Sequence, residues 1–260
     1  MVTEEERYLF DLRGWLVVPD AIDADALAAI NAIMDHRLAG TNREAPALLM
    51  GEFGGEVIGW GAPFLNLVDN PRITPYLEEF VNPQFRLDHE CALVMRPGAG
   101  SAKKTLSSAT LHAASAPFDA SQYFQFRDGR MWNGLTVVVY YLCDVNPGDG
   151  GLACVAGSHK SNYPLPASME SALDGELPPW ITPISAPAGT AVIFTEALAH
   201  GTLPWRAGHE RRSLIYKYSP HSVAWSWRYY EPDRFEGLTA RQRALLEPPN
   251  SRIPSWRGTA

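Results

Sequence analysis

The chain is poor in the features that would point to a secreted scaffold, a nucleic-acid surface or a membrane. Only three cysteines, Cys91, Cys143 and Cys154, occur in 260 residues, and no two are spaced as CxxC. That disfavours a disulfide framework and the usual cysteine zinc sites; each thiol reads as buried and reduced. Positive charge is in deficit, with 22 Lys and Arg against 29 Asp and Glu and a net charge of -7. A nucleic-acid polymer is therefore a poor partner, although a local basic pocket for one phosphate is compatible with that balance. No apolar run approaches the roughly 20 residues of a membrane span. The acidic opening Met-Val-Thr-Glu-Glu-Glu-Arg has no apolar signal segment, so the expected location is cytoplasmic.

What is present is an ordinary globular composition, 46% hydrophobic and 20% charged, in a chain long enough for a large core. Thr3 ahead of three acidic residues predicts a helix cap, and Gly14 ends that helix before a strand over 15–19. Asp23 caps a second predicted helix over 24–36, and a third is expected over 71–81. Residues 39–60 read as a long loop, a candidate lid. Strand patterns then take over at 85–95, 135–142, 152–155, 191–194 and 212–218. The segment 117–130 reads as a loop over a site, 161–184 as a Pro-rich connection, and a short helix opens near Thr239. Early helices followed by many strands predict a mainly β fold with flanking helices, its core a double-sheet jelly roll of the cupin-like kind. One domain over 1–260 is expected, with a helical region over 1–82, a core over about 83–220 and an extension over 221–260.

Two histidines within the strand region carry the functional argument. His112 and His200 lie 88 positions apart, and Arg211 follows the second by eleven. A mononuclear Fe(II) oxygenase site needs two His and one carboxylate, leaving three positions for a 2-oxo acid and O2. In such enzymes the carboxylate commonly stands two after the first His, on the same face of a strand. Here that position is Ala114. A methyl group would leave a further position open, which an anion such as chloride fills while restoring the lost charge. His89 and Glu90, neighbours on a predicted strand, point to opposite faces and are assigned structural roles, as are His36 and His159.

The ordered set Gly150-Gly151-Leu152, Gly157-Ser158-His159-Lys160, Gly189-Thr190-Ala191-Val192-Ile193-Phe194, His200-Gly201-Thr202 and Arg211-Arg212-Ser213-Leu214 resembles the phytanoyl-CoA dioxygenase family of Fe(II)/2-oxoglutarate enzymes. The opening Tyr8-Leu9-Phe10 to Pro19 is similar as well. The resemblance implies His112 and His200 as iron ligands, Arg211 as the clamp on the distal carboxylate of 2-oxoglutarate, and Thr202 as a hydrogen-bonding partner to it. A guanidinium fork suits a carboxylate. Ala114 resembles the halogenase branch, whose members bind a halide at that position and chlorinate unactivated C–H bonds while releasing succinate and CO2. The expected cofactors are therefore Fe(II), 2-oxoglutarate, chloride and O2.

Three other readings stand beside that one. A hydroxylase could recruit its carboxylate from elsewhere (Asp119, Glu90 or Glu196) or leave water in the gap. A site that has lost catalysis would be a small-molecule binding module, and two histidines could hold a structural metal. The presence of Arg211 and Thr202 argues against the last two. For the substrate, Lys103, Lys104, Arg127 and Arg130 around His112 suit a phosphate, and Phe118, Tyr123, Phe124 and Trp132 could stack on a base. With the similarity to nucleotide halogenases, this gives a purine deoxynucleotide as the expected small-molecule substrate. A carrier-protein conjugate is the other partner considered.

Overall fold

The computed structural model describes residues 1–42, 45, 47–51, 57–97, 110–113, 116–170 and 176–251. Its elements run α1 (Glu4–Arg13), β1 (Trp15–Val18), α2 (Ala24–Leu38), β2 (Ala47–Met50), α3 (Ala62–Leu65), α4 (Thr74–Phe80) and β3 (Phe85–Met95). They continue with β4 (Phe124–Arg127), β5 (Arg130–Asn133), β6 (Thr136–Tyr141), β7 (Gly151–Cys154), α5 (Ala167–Glu170), β8 (Thr182–Pro183), β9 (Ala191–Thr195), β10 (His200–Leu203), β11 (Arg211–Pro220) and α6 (Ala240–Leu245).

The helix starts follow their caps. The Thr3 hydroxyl accepts from Glu6 N–H while Glu6 reaches back to Thr3, and Gly14 ends α1 at a φ of 90°. The Asp23 carboxylate accepts from Ala26 N–H at 2.8 Å to open α2. Thr239 and Gln242 form the same reciprocal box at α6.

Six strands form one antiparallel sheet in the order β1-β9-β6-β11-β3-β2, and three form a second in the order β10-β7-β8. Together with the flanking helices this is the β-rich, jelly-roll-like architecture expected from the pattern. Strand alternation sorts the large sheet into two faces. On β6, Val138 and Tyr140 join Ile30, Met34, Phe64 and Phe80 of the helical layer. Val137, Val139 and Tyr141 point the other way and pack with Leu152 and Cys154 of the small sheet. The site lies between the two sheets.

Two stretches expected as loops contain strands among their described residues. β2, inside 39–60, pairs with the β3 edge from Ala47 opposite Met95. As an edge strand it buries only its first residue, which is why no alternation marks it. Within 117–130, β4 pairs with β5 around Asp128 and Gly129, both at positive φ, the backbone that an Asp-Gly hairpin turn requires. No described helix is long and apolar enough to cross a membrane.

Candidate metal centre

His112 and His200 are held together by their main chains. Each N–H donates to the carbonyl of the other at 3.0 Å, an isolated antiparallel bridge, and the rings stand with centroids 4.2 Å apart. His112 Nδ1 faces Thr110 O at 3.1 Å, and His200 Nδ1 faces Leu198 O at 2.7 Å. A carbonyl only accepts, so each Nδ1 carries a proton and each Nε2 is the nitrogen turned toward the other ligands.

The third member is Glu196, in the turn after β9 that Leu198 N–H closes onto Thr195 O at 2.9 Å. Its Oε1 lies 3.8 Å from His200 Nε2 and 4.0 Å from His112 Nε2. These three residues are the one group of three metal-ligand side chains found among the described residues. Burial alone would raise the Glu196 pKa, but Lys217, then His200 and His112, outweigh it and hold the carboxyl at about 2. Burial and the neighbouring His112 push His200 down to about 3. At neutral pH the cluster thus combines a carboxylate with a bare imidazole nitrogen from His200. Two His and one carboxylate suit a mononuclear Fe(II) or a similar cation.

β10 leads from this cluster into the space between the sheets. Thr202 shares the His200 face and is buried. One residue further, Leu203 pairs with Gly151 of β7, and a Cβ on Gly151 would stand 2.9 Å from Arg211 Nε. Gly151 therefore makes room for that guanidinium. Arg211 is buried, lies 6.0 Å from the Tyr141 ring centroid and reaches Met95 Sδ at 3.6 Å. Among the described residues, its Nε and the hydroxyl of Ser213, two residues on along the same face, are buried without a hydrogen-bond partner, and no carboxylate pairs with the guanidinium. A buried cation of that kind, beside an unsatisfied hydroxyl, suits a bound anion.

The structure corrects the expectation built on Ala114. No carboxylate is missing: Glu196 completes a His-Glu-His facial triad, so the chain does not fall on the Ala-substituted halogenase branch, and neither chloride nor chlorination is supported. The nucleotide reading tied to that branch goes with it. Strand spacing misled because His112 sits in a single bridge and not in a strand, so the carboxylate comes from elsewhere in the fold. Ala114, Lys103 and Lys104 lie outside the described residues.

The remaining candidates are engaged locally. Asp119 is exposed and caps Ser121 N–H at 2.7 Å. Glu90 accepts from the Tyr230 hydroxyl and from Ile58 N–H. Arg127 pairs with Asp128 at 3.4 Å in the exposed hairpin. Arg130 stacks on Trp132 at 4.4 Å and donates to Glu79 O. Phe118 is exposed, its ring 5.9 Å from that of Tyr123.

The chain is similar to known proteins in family and fold. The phytanoyl-CoA dioxygenase (PhyH) family matches residues 67–213. HygX from Streptomyces hygroscopicus, solved with nickel and 2-oxoglutarate bound, is 20% identical with a TM-score of 0.73 over 94% of each chain. The epimerase SnoN, solved with Fe3+, alpha-ketoglutarate and nogalamycin RO, is 19% identical with a TM-score of 0.58 over 84% of each chain. AviO1 from Streptomyces viridochromogenes Tue57 is 16% identical with a TM-score of 0.58, covering 84% of this chain and 96% of that one. No curated protein matches the chain.

Proposed function

The chain belongs to the phytanoyl-CoA dioxygenase family, and from that premise we propose that it is an Fe(II)/2-oxoglutarate-dependent oxygenase of a small molecule. The reaction would take a C–H bond, O2 and 2-oxoglutarate to the hydroxylated product, succinate and CO2. The observation that carries the reading is the convergence of Glu196 Oε1 on two histidine Nε2 atoms, with an anion clamp formed by Arg211 and Ser213 on β11.

The residues fit the group they would hold. His112, His200 and Glu196 would be the metal ligands, leaving three positions on a six-coordinate cation. Iron bound there would supply the activation of O2. Arg211 would take the distal carboxylate of 2-oxoglutarate, with Thr202 and Ser213 donating to it; a buried charge-assisted fork both binds and orients. The Phe194 ring, its centroid 4.6 Å from that of His200, packs against that ligand in a tilted contact. That HygX is also solved with hygromycin B, and SnoN with nogalamycin RO, supports a natural product of comparable size as the substrate class.

Turnover tests the reading directly. With Fe(II), 2-oxoglutarate and air, the protein is expected to convert 2-oxoglutarate to succinate, even without substrate, at a rate unchanged when chloride is replaced by sulfate. Absence of Fe(II)-dependent succinate would contradict the assignment.

A further inference from the structure

Lys217 lies on the inner face of β11 with Arg211, Ser213 and Ile215, and its Nζ donates to Glu196 Oε2 at 3.1 Å. The oxygen it takes is not the one that faces the histidines, which is Oε1. Lys217 is itself held. It pairs across the sheet with His89, and the register then jumps so that Tyr218 faces Leu87. Asp88 is the extra residue of that bulge, and a bulge re-aims side chains near functional sites.

The Asp88 carboxylate accepts from the main-chain N–H of Trp225 at 3.0 Å and of Ser226 at 2.9 Å, besides Arg86 at 2.9 Å. That anchors the segment after β11 against β3. It stacks the Trp225 ring on His89 at 4.8 Å and brings it within 5.8 Å of Lys217 Nζ. A chain of contacts therefore runs from the bulge through Trp225 to Lys217 and on to Glu196.

We propose that Lys217 is a positioning residue that occupies Glu196 Oε2, so that Glu196 meets the metal through Oε1 alone and keeps a coordination position open. A carboxylate that used both oxygens would close one of the positions that a 2-oxo acid and O2 need. The inference rests on the triad being the metal centre. Charge alone predicts the opposite behaviour to positioning: removing a cation beside a metal site should tighten binding of a dication, whereas losing an orienting partner weakens it by about tenfold or more.

The test compares the parent protein with Lys217→Met and Lys217→Arg, by calorimetric Co(II) titration and by the visible spectrum of the Co(II) protein. Lys217→Gln, whose shorter amide does not reach Oε2, replaces Lys217→Met if that variant fails to fold. Expected are Co(II) binding about tenfold weaker or more in Lys217→Met or Lys217→Gln, with altered d–d bands, and a parental spectrum in Lys217→Arg. Equal or tighter binding with the parental spectrum in the neutral variants would overturn the positioning role and leave the metal centre standing. A parent protein that binds no Co(II) would overturn the metal-centre reading itself.

Discussion

The two faces of β11 do different work. On the outer face, Tyr216 donates to Phe64 O at 2.8 Å and Tyr218 to Val68 O at 3.0 Å, both fully buried beside Leu214. Both hydroxyls end on main-chain carbonyls of the helical layer. On the inner face, Arg211 Nε and Ser213 Oγ have no partner among the described residues, and Lys217 spends its ammonium on a prospective metal ligand. Buried polar groups are normally satisfied, and the exceptions ask for an explanation. The contrast separates a surface built for stability from one kept open for a ligand, one residue apart along the same strand.

Breaking the outer face should have the largest effect on stability and none on binding. Leu214→Ala leaves a cavity among fully buried neighbours and is expected to cost about 2–5 kcal/mol in thermal or urea unfolding. Its 2-oxoglutarate affinity in the presence of metal should stay parental.

The inner face should behave the other way. Arg211→Ala is expected to weaken 2-oxoglutarate binding by roughly thirtyfold, about 2 kcal/mol for a charge-assisted hydrogen bond, as read by calorimetry with Ni(II) in place of iron. Its melting temperature should hold or rise, because a buried cation without a carboxylate has been removed. A large loss of stability with parental 2-oxoglutarate binding would erase the distinction between the faces.

Acid should act more gently, on the His200 and Glu196 groups that the inner face meets through Lys217. The folded His200 stays neutral down to about pH 3, while the unfolded chain binds its proton near the ordinary value of 6.5. The stability is therefore fully present above 6.5 and is lost as pH falls toward 3. Glu196, held at about 2 against 4.5 unfolded, adds a loss in the same direction between those values. Metal-free protein should lose roughly 1 kcal/mol on going from pH 7.5 to 5.5, and His200→Gln should flatten the slope.

Much of this was legible in the sequence, for identifiable reasons. The β-branched runs of β6 and β9 and the long β3 stood out as strands because both faces are buried. His112, His200 and Arg211 stood out through joint spacing. Glu196 stands in the sequence only as one of three carboxylates that could be recruited, because the two-residue spacing that marks a carboxylate ligand requires His112 to sit in a strand. A signal for it was nonetheless there. In Phe194-Thr195-Glu196-Ala197-Leu198-Ala199-His200 a lone acid stands in an apolar run that opens on a ligand-type histidine, and a buried carboxylate is costly without a cation. β2 left no pattern because an edge strand buries little, whereas the Asp128-Gly129 dipeptide is a hairpin-turn signal that reading 117–130 as one loop passes over.

The most direct test of the central claim, that Glu196 is the third metal ligand, is anaerobic titration of Fe(II) into protein holding 2-oxoglutarate, followed in the visible. Expected are a charge-transfer band in the parent that chloride does not shift and, in Glu196→Ala, a loss of Fe(II) affinity of roughly a hundredfold or more, about 2.8 kcal/mol. A Glu196→Ala protein that gives the parental band at the parental Fe(II) concentration would contradict it.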